Sequence, residues 1–235
     1  MIRHPKIKRI TQRVGVWKFS AVELLGMLIL FIFAMPFVED FSLGRSIEPI
    51  LLTLLLVSAL LAVGGRRRVL IAGLCLLVPA IISRWGHHLL PDLMSPVLFI
   101  GFGLAFIGFV IVNILRYIMR ASQVNAEVVC AGISVYLLIA IMWAMVYKLL
   151  GDLDPRSFYF ANVPNAEQTM TNANSFYFSF ATISSVGYGD ITPVTRVARM
   201  FAVMEAITGL FFMAVLISRL VSLYSPKVSE PDQDS

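Results

Sequence analysis

The stretch Ser175-Phe176-Tyr177-Phe178-Ser179-Phe180-Ala181-Thr182-Ile183-Ser184-Ser185-Val186-Gly187-Tyr188-Gly189-Asp190 decides how the rest of the chain is read. Residues 175–184 are mostly apolar and have the character of a helix. At about 1.5 Å per residue such a helix reaches roughly 15 Å, half the hydrocarbon core of a bilayer. It is too short to span, so it reads as a helix that enters a membrane and stops, with Asn174 or Ser175 as its N-cap. Backbone that stops within a membrane is tolerated where protein buries it or where it lines a water-filled cavity. The six residues that follow must therefore line something polar. Gly187 and Gly189 alternate with larger residues, and glycine takes backbone angles that other residues resist. Successive carbonyl oxygens can then point to one side as a ladder. Several chains around an axis would make rings of oxygens able to replace the hydration shell of a cation. The negative C-terminal end of the short helix favours a cation too. No side chain here is charged before Asp190, so the ligands on offer are neutral oxygens.

Working outward, the surroundings are those of a membrane protein. Of the 235 residues, 58% are hydrophobic and 14% are charged, against roughly 45–50% and 25% in soluble domains. Apolar runs of spanning character occupy 20–38, 47–63, 69–82, 97–115, 128–150 and 200–220, which predicts six spans. The third is short and contains Pro79. The polar stretch 151–174, with Asp152, Asp154, Pro155 and Pro164, reads as an external loop before the half-length helix. The basic N-terminus is followed by a run too long for a signal-peptide core, and no clean cleavage site follows it, so that run reads as a retained first span.

With the N-terminus inside, thirteen of the Lys and Arg residues fall on the cytoplasmic side and six outside. An even number of spans with both termini cytoplasmic thus obeys the positive-inside rule. Losing the third span would invert the second half of the chain. The expected organisation is a cytoplasmic segment over 1–19, a four-helix peripheral domain over 20–120, a pore domain over 121–224 and a disordered, acidic tail over 225–235.

Ser185-Val186-Gly187-Tyr188-Gly189-Asp190 resembles the filter signature of potassium channels, and its setting between two spans, after a re-entrant helix, makes the match specific. The resemblance covers roughly residues 128–220. Six spans with the filter between the fifth and sixth resemble the voltage-gated-like superfamily, in its prokaryotic type. The resemblance implies an all-α membrane fold of six transmembrane helices, a re-entrant pore helix and a filter loop, assembled as a homotetramer. It implies K+ as the permeant ion, bound by the carbonyls of Ser185, Val186, Gly187 and Tyr188, with Gly189 completing the filter. Asp190, Tyr177, Ser184 and Glu205 are candidate filter supports. It further implies a multi-pass protein of a bacterial inner membrane. The family usually has Thr where this chain has Ser185. The hydroxyl is kept, but Ser is less restrained at χ1, which loosens the expected innermost ion site.

Other positions carry alternatives. Glu205 lies within the sixth span, where an ionisable group is a functional-site hypothesis by default; it either supports the filter through Ser179, Thr182 or Tyr177, faces water, or packs as a hydrogen-bonded residue. Gly209 resembles the glycine at which the family's inner helix bends, or serves close packing. The fourth span has no charge before Arg116 and Arg120, which snorkel to the headgroups, so voltage dependence is expected to be weak or absent. Arg66-Arg67-Arg68 fixes topology, with contact to anionic lipid as a second reading. His87 and His88 read as surface residues, and Cys75 and Cys130 as small buried hydrophobes. No transition-metal site, cofactor, nucleic-acid partner, small-molecule substrate or enzymatic constellation is expected; the partners are other copies of the chain and membrane lipids. The rival readings are a poorly selective cation channel, a potassium transporter subunit and a non-conducting modulatory membrane subunit.

Overall fold

The computed structural model describes residues 21–40, 44–63, 67–89, 96–161, 164 and 168–224. In chain order these form α1 (Ala21–Asp40), α2 (Gly44–Val63), α3 (Arg67–Leu89), α4 (Pro96–Arg120), α5 (Ala126–Leu153), a 3₁₀ turn at Pro155–Ser157, β1 (Phe158–Phe160), α6 (Asn172–Ile183), β2 (Ile191–Pro193) and α7 (Arg196–Tyr224). The basic segment 1–19, Arg66 and the tail 225–235 lie outside the described residues, as do the side chains of His87 and His88.

Among the described residues, four helical stretches are long and apolar enough to cross a membrane: Arg67–Gly86, Ile100–Arg120, Ala126–Leu153 and Arg196–Ser222. Ala21–Met35 and Ile47–Val63 are apolar helix of shorter length. The third apolar run, short in sequence, is one of the four. Its helix runs past Pro79 to Leu89, and Ser83 donates to the Pro79 carbonyl at 2.7 Å.

The core is apolar and continuous. Leu24, Leu28 and Phe31 of α1 and Leu55 of α2 meet Phe106 and Val110 of α4 and Val135, Leu138 and Ile141 of α5. Helices α1 and α4 thus pack against the α5 of their own chain. The connection from α4 to α5 enforces this. Residues 121–125 reach about 17 Å fully extended, and Asn125 ends the linker by capping α5, its side chain accepting from the Val128 N–H at 2.9 Å.

The expected loop over 151–174 is more structured than its composition suggests. Asp154 caps the 3₁₀ turn, and the Arg156 backbone N–H it accepts, together with the Arg156 side chain, holds its carboxyl below the usual carboxylate range. β1 and β2 then pair antiparallel, with Tyr159 opposite Thr192. The all-helical expectation therefore gains a two-stranded ribbon. Helix α6 also starts earlier than expected: Thr171, not Asn174 or Ser175, is the cap, its side chain accepting from the Asn174 N–H. Cys75 is exposed on α3 and Cys130 is half-exposed on α5, so neither is the buried hydrophobe expected of it.

Candidate functional site: the loop between α6 and α7

Helix α6 has 12 residues, about 18 Å of helix, and the loop follows it directly. Ser185, Gly187 and Gly189 have φ of 59°, 53° and 80°. Left-handed backbone thus alternates with Val186 and Tyr188, the condition for carbonyls to share one side. Gly187 and Gly189 were legible in the sequence. Ser185 was not, because a non-glycine residue pays about 1–2 kcal/mol for this conformation. The strain is held by the helix behind it: Ser185 N–H donates to the Thr182 carbonyl at 3.0 Å, and the N–H groups of Val186 and Gly187 both donate to the Ala181 carbonyl. The Ser184 hydroxyl donates to the Phe180 carbonyl at 2.6 Å. Ser184 therefore completes the end of its own helix and does not brace the loop by direct contact.

The outer end is clamped. The Tyr177 hydroxyl donates to Asp190 Oδ2 at 2.7 Å, and the Tyr177 ring stacks on Tyr188 at 6.1 Å. Asp190 Oδ1 accepts from the Ile191 N–H, while the Asp190 carbonyl accepts from Ala161 N–H beyond β1. The ribbon thus ties both flanks of the mouth together. Val186 and Tyr188 are more than half exposed in the single chain.

Behind the loop sits a buried polar cluster. Glu205 on α7 is fully buried. Its Oε2 accepts from the Tyr147 hydroxyl at 2.6 Å, and its Oε1 lies 2.5 Å from Ser179 Oγ. Ser179 Oγ is also 2.7 Å from the Ala140 carbonyl. The cluster joins α5, α6 and α7. Of the partners expected for Glu205, Ser179 is present, while the Tyr177 hydroxyl goes to Asp190 instead. Tyr147 was missed. Its signal was a tyrosine inside an apolar run, whose hydroxyl needs a partner once buried. Tyr147 and Ser179 bring one hydrogen each, and the Ser179 hydroxyl has two acceptors in reach, the Glu205 carboxyl and the Ala140 carbonyl.

At the inner end, Tyr136 donates to the Ile183 carbonyl at 3.2 Å. Helix α7 passes closely beneath the same carbonyl. A Cβ on Gly209 would lie 2.4 Å from Ile183 O, so the approach requires glycine there whether or not the helix bends. α7 is continuous through this point. Helices α1 and α2 also touch α6, the helix that carries the loop. Glu48 of α2 accepts from Arg84 of α3 at 2.7 Å and from Asn172, the first residue of α6, at 2.8 Å. Phe31 of α1 meets Phe176 edge-on at 5.5 Å.

Residues 135–225 match a family described as ion channel. The voltage-gated potassium channel Kch of Escherichia coli is 30% identical over 124 residues, 52% of this chain and 27% of that protein. Two-pore potassium channel 4 of Arabidopsis thaliana is 35% identical over 86 residues, 37% of this chain and 30% of that protein. Protein LctB of Bacillus caldotenax is 33% identical over 88 residues and is covered to 64% of its length. The matched stretches thus span less than a third of the first two relatives. No solved structure matches the chain significantly. The matched domain and these two named channels are not enzymes. The chain, a transmembrane protein, is thus similar through residues 135–225 to an ion-channel family, and potassium channels are among the proteins it resembles.

Proposed function

We propose that the chain is one subunit of a homotetrameric, potassium-selective channel that conducts passively, with Ser185–Gly189 as its filter. The observation that carries this is the alternation of left-handed backbone at Ser185, Gly187 and Gly189 directly after a half-length helix. In this reading the carbonyls of Ser185, Val186, Gly187 and Tyr188 are the potassium ligands, and K+ is the permeant ion without any cofactor. Asp190 and Tyr177 hold the mouth, Ser184 acts through the end of α6, and Glu205 holds the back. Gly209 seats the pore helix and is the place where α7 would bend. One chain supplies one ladder, so the rings require further copies. The state of α7 favours this: 11% of its spanning window is buried within the chain, against 56% for α5, leaving Val203, Leu210 and Phe211 open.

α1 and α2 complete a six-span arrangement in this proposal. Each has 20 residues, about 30 Å of helix and one hydrocarbon core. The arrangement puts both termini in the cytoplasm of a bacterium, with 20–120 as a peripheral domain and 121–224 as the pore. α4 carries arginine only at Arg116 and Arg120 near its last turn, which supports weak or absent voltage dependence. Ser185, lacking the methyl of threonine, favours a poorly selective cation channel as the second reading.

Two measurements on the purified full chain test the proposal. Static light scattering of the detergent-solubilised protein should give the mass of four chains. Liposomes loaded with KCl should lose potassium when a potassium ionophore-free flux assay is started by a proton shunt, and sodium-loaded liposomes should stay silent. A monomeric mass, or no flux of either ion, refutes the conducting tetramer. Equal fluxes favour the second reading.

A further inference from the structure

The end of the helix bundle opposite the filter holds a cavity of about 460 Å³ between α3 and α4, within the range of about 300–1,000 Å³ usual for ligand sites. Arg68, at the start of α3, and Arg116, near the end of α4, stand at its rim. Both are exposed, and neither has a carboxylate within ion-pair distance among the described residues. The first turn of α3 adds the positive end of a helix dipole. The carbonyls at the end of α4 do not engage Arg116. Those of Met119 and Ala121 accept instead from Arg219 of α7, at 3.0 and 2.9 Å. The rim is thus a cationic position with no anion of its own.

Below the rim the lining is apolar apart from Asn113, and its small residues, Ala72 from α3 and Ala105 and Gly108 from α4, open a slot beside Phe109 and Val112. A Cβ built on Gly108 meets nothing within 4 Å. From Arg116 down to Ala105 is about 16 Å along α4, close to the depth of one leaflet. A free inorganic anion uses only the rim. A molecule with a phosphate at one end and a chain at the other uses both.

We propose that this cavity binds an anionic phospholipid, with the phosphate between Arg68 and Arg116 and one acyl chain laid past Ala105 and Gly108. The site is separate from the filter and stands whether or not the pore conducts. It differs from general attraction of basic loops to an anionic membrane because it needs the slot as well as the charge.

The test is lipid binding to the purified full-length protein by native mass spectrometry, with dioleoyl phosphatidylglycerol and dioleoyl phosphatidylcholine as the two probes. Wild type should bind the anionic lipid preferentially. Replacing both arginines (R68Q with R116Q) should weaken that binding about thirtyfold, the equivalent of about 1 kcal/mol for each arginine near a membrane surface. Gly108→Leu, which fills the slot and keeps both charges, should weaken it too. The paired control R67Q with R120Q removes the same charge outside the cavity lining and should leave the preference in place. Inorganic phosphate at millimolar concentration should not compete. Equal loss in the control pair, retention in the R68Q/R116Q pair, an unaffected Gly108→Leu protein, or displacement by phosphate would each overturn the assignment. Unchanged helical circular dichroism in every variant keeps a folding defect from being read as lost binding.

Discussion

Replacing Glu205 probes the polar cluster behind the loop proposed as the filter. In Glu205→Leu the fully buried Tyr147 loses the acceptor 2.6 Å away, while Ser179 keeps the Ala140 carbonyl at 2.7 Å. One buried donor is then orphaned, at a cost of about 1–3 kcal/mol per chain. That exceeds the loss of an average interhelical hydrogen bond in a membrane, about 0.6 kcal/mol, so orphaning dominates. Glu205→Gln behaves differently. Its carbonyl oxygen still accepts from Tyr147, and its NH₂ donates to Ser179 while the Ser179 hydrogen goes to Ala140. The glutamine variant should cost less than about 1 kcal/mol. The double change Tyr147→Phe with Glu205→Leu removes donor and acceptor together and should recover most of the leucine loss. Unfolding of the purified protein in detergent with rising SDS, followed by tryptophan fluorescence, gives all four stabilities. Glutamine and leucine variants equally destabilised would refute the hydrogen-bonding argument, because glutamine keeps an acceptor for Tyr147 and leucine does not. A harmless leucine variant, or no recovery in the double variant, would refute the support role of the cluster.

Three further outcomes follow from the same geometry. Gly209→Ala places a methyl 2.4 Å from the Ile183 carbonyl, so the end of α6 must shift; single-channel conductance should fall several-fold, and wild-type conductance would show that α7 does not press on the filter in the open state. Tyr177→Phe removes the 2.7 Å bond to Asp190, which is exposed in the single chain and so worth less than the roughly 1.5–3 kcal/mol of a shielded bond to a charged acceptor; macroscopic recordings should show faster loss of current during sustained opening, with the reversal potential unchanged. With arginine in α4 confined to Arg116 and Arg120, the conductance–voltage curve should be shallow, and a steep curve worth several gating charges would contradict it.

The loop was legible in sequence because its two signals are local. Gly187 and Gly189 announce the backbone, and the shortness of Ser175–Ser184 announces a helix that stops. What surrounds the loop was less legible because it is assembled across distance. Tyr147 meets Glu205 across 58 positions, and nothing in an apolar run says which tyrosine turns inward. β1 and β2 have three residues each, too few for an alternating pattern, and their pairing depends on the loop already being folded back. Thr171 is hard to read as the cap because Asn172-Ala173-Asn174 has the composition of a turn, yet these residues form the first turn of α6. Ser185 shows the limit most clearly: its left-handed φ is imposed by bonds to α6, and no property of serine announces it. The contact of Glu48 with Asn172 spans 124 positions and was likewise beyond a reading of spans and loops.

The central claim, that residues 185–189 select potassium through backbone oxygens, is tested most directly by the reversal potential of the purified protein in a planar bilayer with KCl on one side and NaCl on the other. The reversal should lie far toward the potassium equilibrium potential and shift toward zero when Gly187→Ala disturbs the alternation. A wild-type reversal near zero would contradict it.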